Sequence, residues 1–165
     1  MLTSLFVSDL ALIRRLSVDF HRGFSVLTGE TGAGKSLILD SLGLFLSSKG
    51  GKELVRHGEE KLEVSLYFTD LTEEQIASCQ EWVDAEEARE GVTLTRIVYA
   101  SGKSLSKLCG RTLPFSRLSA LASELLAIHG QNSAVGLLDE RNHRRYLDDA
   151  LHDEGRKTLA DYKKA

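Results

Sequence analysis

Apolar positions recur in short, loosely alternating runs along the start of the chain. Leu2 to Leu10 and Ala11 to Phe20 predict two strands, and His21-Arg22-Gly23 breaks the pattern as a turn. Phe24-Ser25-Val26-Leu27-Thr28 predicts a third strand that runs straight into Gly29-Glu30-Thr31-Gly32-Ala33-Gly34-Lys35-Ser36. Leu37, Ile38, Leu39, Leu42, Leu44, Phe45 and Leu46 then recur densely enough for a well-buried helix, ended by Ser47 to Gly51. Lys61 to Phe68 alternates strictly, with Leu62, Val64, Leu66 and Phe68 on one face of a half-buried strand.

Further along, Thr72 predicts the cap of a polar helix reaching about Ala88, with Glu74 or Gln75 near the capping-box position and Gly91 as its end. Val92 to Tyr99 reads as a β-branched strand, and Leu105 to Leu113 as a hairpin partner turning around Gly110-Arg111. Ser116 to about Leu126 reads as a helix, with Leu125 to His129 as a short strand after it. From Asp139 the chain becomes charged, and Tyr146, Leu147, Ala150 and Leu151 form the apolar stripe of a helix without a stop signal.

Composition narrows the class. Hydrophobic residues are 42% and charged residues 27% of the 165, enough to bury the core of one domain and not a disordered composition. No run approaches the roughly 18 apolar residues of a membrane helix, and Met1 to Leu10 lacks an export signal, so a soluble protein away from the membrane is expected. Cys79 and Cys109 form no CxxC pair and have no His at ligand spacing, which predicts two reduced thiols. The net charge of −3 excludes a bulk-basic nucleic-acid binder, and any DNA contact requires a local patch or protein outside this chain. Arg141, His143, Arg144 and Arg145 are basic, but Asp148, Asp149, Asp153 and Glu154 follow, as on a solvated mixed-charge helix face.

The chemistry is concentrated in Gly29 to Ser36, which satisfies G-x-x-x-x-G-K-[ST] at every fixed position. Glycines let the backbone curl so that successive N–H groups converge on phosphate oxygens, and the next helix adds its positive end. Lys35 is expected to reach the β- and γ-phosphates of a bound nucleotide, and the Ser36 hydroxyl to ligate Mg²⁺. Gly102-Lys103-Ser104 imitates the motif, but Ile97 stands where its first glycine belongs, so it reads as a turn.

Hydrolysis requires a carboxylate as well. Leu66-Tyr67-Phe68-Thr69-Asp70 ends in one but alternates like an exposed-face strand. Val135-Gly136-Leu137-Leu138 precedes Asp139-Glu140, yet the run is short, contains a glycine, and puts Asp139 where a helix N-cap belongs. Three readings stay open from the residues alone. Either the catalytic carboxylates lie outside this chain, or Asp139 and Glu140 serve a self-contained small P-loop phosphotransferase. A scaffold whose P-loop only stabilises the fold is a third.

With the P-loop, Leu54-Val55-Arg56-His57-Gly58 and Ile128-His129-Gly130-Gln131 in this order, most of the chain resembles the RecN family of bacterial DNA-repair ATPases, related to SMC proteins. The His-Gly-Gln segment discriminates this family from other SMC-like heads. The resemblance implies an α/β P-loop NTPase of the ABC/SMC head type, here an N-terminal lobe with an antiparallel β-rich flank. Residues 1–138 would be that lobe and 139–165 the start of a coiled-coil helix, so that Asp139 and Glu140 are not the catalytic pair.

It further implies that Gly29, Glu30, Thr31, Gly32, Ala33, Gly34, Lys35 and Ser36 bind ATP, that Ser36 ligates Mg²⁺, and that Gln131 contacts Mg²⁺ or the attacking water. The implied partners are the C-terminal half of the same head, a second head in an ATP-bound homodimer, and DNA through the full-length protein in double-strand-break repair. The implied location is the bacterial cytoplasm, at the nucleoid. A role for Arg56 at the nucleotide or at DNA stands beside that of a solvated loop arginine. Two departures from the family are Asn132-Ser133-Ala134 where a further His is common, and Cys109 where an Asn precedes the hairpin glycine.

Overall fold

The computed structural model describes residues 1–29, 34–47, 51–126, 128, 155, 158, 161 and 162. Among these residues six antiparallel strands form one sheet in the order β2-β1-β3-β4-β5-β6: β1 (Leu2–Leu10), β2 (Ile13–Asp19), β3 (Lys61–Phe68), β4 (Val92–Tyr99), β5 (Ser104–Leu108) and β6 (Arg111–Thr112). The helices are α1 (Lys35–Gly43), α2 (Glu73–Cys79), α3 (Ala85–Glu90) and α4 (Phe115–Leu125), with a short 3-10 turn at Lys52–Leu54. Two compact units divide at Ala127, and the second runs from Ile128 to Ala165. In it Gly155, Thr158, Asp161 and Tyr162 are helical.

The alternation read in β3 decides which face is covered. Leu62, Val64, Leu66 and Phe68 are fully buried, and cross-strand pairing extends them into rows. One row runs Leu5, Leu66, Leu94, Leu108 and the next runs Val7, Val64, Arg96, Ser106. Ile76, Cys79, Leu118, Leu121 and Ala122 from the helices, Val83 between α2 and α3, and Phe45 after α1 complete this core. Each such apolar side chain stabilises the fold by about 1.5–3 kcal/mol on burial.

The predicted polar helix is in fact two. Thr72 and Gln75 form a full capping box, the amide of Gln75 donating to Thr72 Oγ1 at 3.3 Å and the amide of Thr72 to Gln75 Oε1 at 3.0 Å. After Cys79 the chain turns so that Val83 reaches the core, and the Asp84 carboxylate restarts the helix by accepting from the amides of Glu86 and Glu87 at 3.1 and 3.0 Å. Gly91 ends it at φ 141°, where a Cβ would come within 2.5 Å of Tyr67 Oη.

Other boundaries also move. α1 stops at Gly43, three residues early, because the amides of Phe45 and Leu46 bond back to Leu42 and Gly43 in a tighter turn that drops Leu44 and Phe45 into the core. The helix is also less buried than its density of leucines suggests: Leu39 is 50% exposed. Leu125 closes α4 and does not begin a strand. Phe24–Thr28, expected as a strand, is unpaired among the described residues, because a strand exists only where a neighbour supplies its hydrogen bonds.

The β5–β6 hairpin forms with Cys109-Gly110 as a two-residue turn, both at positive φ (46° and 79°). That is the type I′ geometry, for which Asn before Gly is the better residue. Cys109 adopts it while its amide donates to the Thr93 carbonyl at 2.8 Å and its sulfur accepts from the Thr93 amide at 3.5 Å. Cys109→Asn is expected to raise stability by roughly 0.5–1 kcal/mol in urea unfolding. A loss would show that the thiol contact with Thr93 outweighs the backbone preference.

Candidate functional site

The site begins where the chain passes from Thr28 into α1. Gly34 stands immediately before the helix at φ 89° and ψ 0°, a left-handed conformation natural only to glycine, so the motif's last glycine is required by the backbone. Lys35 and Ser36 occupy the first turn of α1, which carries no acidic side chain to compete with an anion. The Lys35 ammonium donates to the carbonyl of Gly29 and so bridges the two ends of the loop. A cation and an open helix N-terminus converging on a glycine loop are the donor set that a phosphate chain needs, and the residues fit ATP in that respect. Glu30, Thr31, Gly32 and Ala33 lie outside the described residues, as do Gln131, Asp139 and Glu140.

The described candidates for other roles are otherwise engaged. Asp70, at φ 53° after β3, pairs with Arg22 at 2.9 Å on the surface and is not poised as a metal ligand. Lys103 closes a turn with its carbonyl accepting from the Tyr99 amide at 2.9 Å, as expected for a hairpin and not a second phosphate loop. No cluster of three or more His, Cys, Asp or Glu that could hold a metal occurs among the described residues.

Arg56 is more structural than its sequence context suggests. Its Nη1 donates to the carbonyls of Leu12 at 2.9 Å and Ala11 at 3.3 Å, and its amide donates to Asp9 at 2.8 Å. These bonds hold a β1–β2 turn in which Asp9 and Ala11 both have positive φ (55° and 48°). His57 is exposed. Both cysteines are free; burial, and then Cys109 and Glu124, push the Cys79 thiol from the ordinary 9.0 to about 11, and burial raises Cys109 too, so neither is primed as a nucleophile.

Around the P-loop the apolar cover is incomplete among the described residues. Phe24 is 92% exposed, Val26 62% and Leu27 48%. A groove of about 350 Å³ lies between α1 and the 3-10 turn, lined by Leu39, Gly43, Leu44 and Leu54 together with Asp40 and Glu53.

Arg96 escaped the sequence reading altogether. It is 4% exposed, in the core row of β4, and its place between Leu94 and Val98 in the alternation was the available signal. Desolvation lowers its pKa from the ordinary value.

Residues 5–113 match the AAA domain family. The chain belongs to the AAA domain family. It is also 37% identical over 150 residues to the DNA repair protein RecN of Bacillus subtilis strain 168, covering 90% of this chain and 26% of that protein. The RecN resemblance read from the motifs is therefore borne out, and the chain spans about a quarter of the length of the curated relatives it matches.

In fold this AAA domain is similar to SMC heads. An Smc head domain with an extended coiled coil from Pyrococcus furiosus, bound to the C-terminal domain of ScpA, superposes with a TM-score of 0.66 at 21% identity, over 90% of this chain and 41% of that one. A chain from SMC ATPases described for ATP-driven dimerization and DNA-stimulated activation gives 0.61 at 20% identity, over 97% of each chain. The expected ABC/SMC-type head fold with its antiparallel sheet is the fold present. No helix among the described residues is long and apolar enough to cross a membrane.

Proposed function

We propose that this chain is the ATP-binding N-terminal part of an SMC-like head, and that it binds and hydrolyses Mg-ATP only when the C-terminal half of the same head completes it. The observation that carries this reading is the exposed apolar segment Phe24–Leu27 leading directly into the P-loop, beside the half-exposed Leu39 of α1. An extended segment and a helix face of this composition belong in an interior. Their exposure beside the glycine loop is what a head missing its second half would display. No observation favours the self-contained phosphotransferase in the same way.

In this reading residues 1–138 form the lobe and 139–165 begin the coiled coil. The backbone from Gly29 through Glu30, Thr31, Gly32, Ala33 and Gly34 cradles the phosphates, Lys35 neutralises the β- and γ-phosphates, and Ser36 ligates Mg²⁺. Gln131 orients water and contacts the metal. Two heads closing on ATP would release on hydrolysis, because contacts to the γ-phosphate vanish with it. The curated relatives are named for DNA repair, and we extend to this protein a role in double-strand-break repair at the nucleoid, with DNA reached through the full-length protein. Hydrogen exchange tests the completion directly. Adding the C-terminal half is expected to protect the amides of residues 24–28, and unchanged exchange in that segment would contradict the reading.

A further inference from the structure

β2 ends the sheet on one side, with β1 as its neighbour and no further strand beyond it among the described residues. The amide of Phe20 donates to the Thr3 carbonyl at 2.8 Å, so Val18 and Leu16, at every second position back along the strand, also turn their main chain toward β1. Arg15, Ser17 and Asp19 therefore turn their N–H and C=O groups outward along the edge, where water or another strand has to satisfy them. All three side chains are exposed. They stand on the sheet face opposite the core, where the Arg15 guanidinium carbon lies 5.4 Å from the centroid of the Phe6 ring.

A charged edge ordinarily repels a second strand. This edge carries both signs, spaced so that it complements itself. Two copies of β2 laid antiparallel about Ser17 set Arg15 of each opposite Asp19 of the other, and the outward main-chain groups of Arg15, Ser17 and Asp19 meet as hydrogen-bonded pairs. Leu16 then falls opposite Val18 on the core face, and both are half-buried in the single chain. Sliding the copies by two residues either way breaks the Arg–Asp pairs, and sliding by one sets outward main-chain groups against residues that face β1. Neither Arg15 nor Asp19 forms an ion pair among the described residues. Exposed ion pairs add little affinity, so the charges select the register while the main-chain bonds and the Leu16–Val18 contacts supply the adhesion.

We propose that the free edge of β2 binds a second copy of this chain, joining the two sheets into one across a two-fold axis at Ser17 and without nucleotide. This contact is separate from the ATP-dependent closure of two heads and does not rest on it. Sedimentation velocity of the chain without nucleotide, from about 1 μM to about 1 mM, tests it; a reversible dimer with a dissociation constant of about 10–100 μM is expected for so small an interface. Arg15→Asp and Asp19→Arg are each expected to weaken the dimer about tenfold or more, by setting like charges opposite one another twice. The double variant Arg15→Asp/Asp19→Arg is expected to return it to within about threefold of the parent. Val26→Asp should leave it unchanged. Ser17→Cys should form an interchain disulfide on mild oxidation, because hydrogen-bonded cross-strand Cα atoms about 5.5 Å apart admit one, whereas Leu12→Cys in the β1–β2 turn should not.

A chain that stays monomeric throughout this range would overturn the proposal. So would a dimer indifferent to both single charge reversals, or one lost on Val26→Asp, which places self-association at the apolar segment before the P-loop. Thermal midpoints show whether each charge variant is folded. If those variants do not fold, the crosslink decides: no Ser17→Cys disulfide at concentrations where the parent is dimeric counts against the proposal.

Discussion

Lys35→Ala is expected to weaken binding of a fluorescent ATP analogue about a hundredfold or more, by removing the charge-assisted bonds to two phosphates. The side chain contacts the Gly29 carbonyl at the mouth of the loop and is not part of the core, so the thermal midpoint should stay within about 2 °C. A titration run beside a melting curve separates the two effects. Retained affinity in a folded Lys35→Ala chain would mean that Gly29 to Ser36 is not the phosphate site.

The second large effect concerns the uncovered segment. Val26 is 62% exposed, so Val26→Asp should leave the stability of the lobe within about 0.5 kcal/mol of the parent. In the completed head the same carboxylate would be buried without a partner, at a cost of about 3–5 kcal/mol. Affinity for the C-terminal half is therefore expected to fall at least about a hundredfold, measured by calorimetry or co-elution. Equal binding of the half by Val26→Asp would show that this segment remains at the surface after assembly.

Much of the fold could be read from the residues because local and tertiary preferences agree. Leu62 to Phe68 alternates and is buried in alternation; Thr72 and Gln75 spell a capping box and form one. The P-loop was legible for a similar reason, since the left-handed backbone at Gly34 is one that the motif's last glycine encodes.

What failed to show in the sequence depends on partners far along the chain. Nothing local says that Asp84 begins a second helix, because its neighbours Trp82 and Val83 fit a helical stripe until packing draws Val83 inward. Phe24–Thr28 has the composition of a strand, but composition cannot supply the neighbour that would pair with it. Arg96 was hidden because one polar residue in a β-branched run reads as a solvent-facing position, whereas register places it among Val7, Val64 and Ser106. Arg56 drew attention through its motif, and only the turn at Ala11 and Leu12 shows what it holds.

On the proposed reading, this lobe carries half of an ATPase site. Steady-state ATP hydrolysis, measured for the chain alone and again with the C-terminal half added, tests it most directly. The expected result is nucleotide binding without turnover by the chain alone, and Lys35-dependent turnover once the second half is present. Lys35-dependent turnover by the chain alone would contradict it and move Asp139 and Glu140 into the catalytic site.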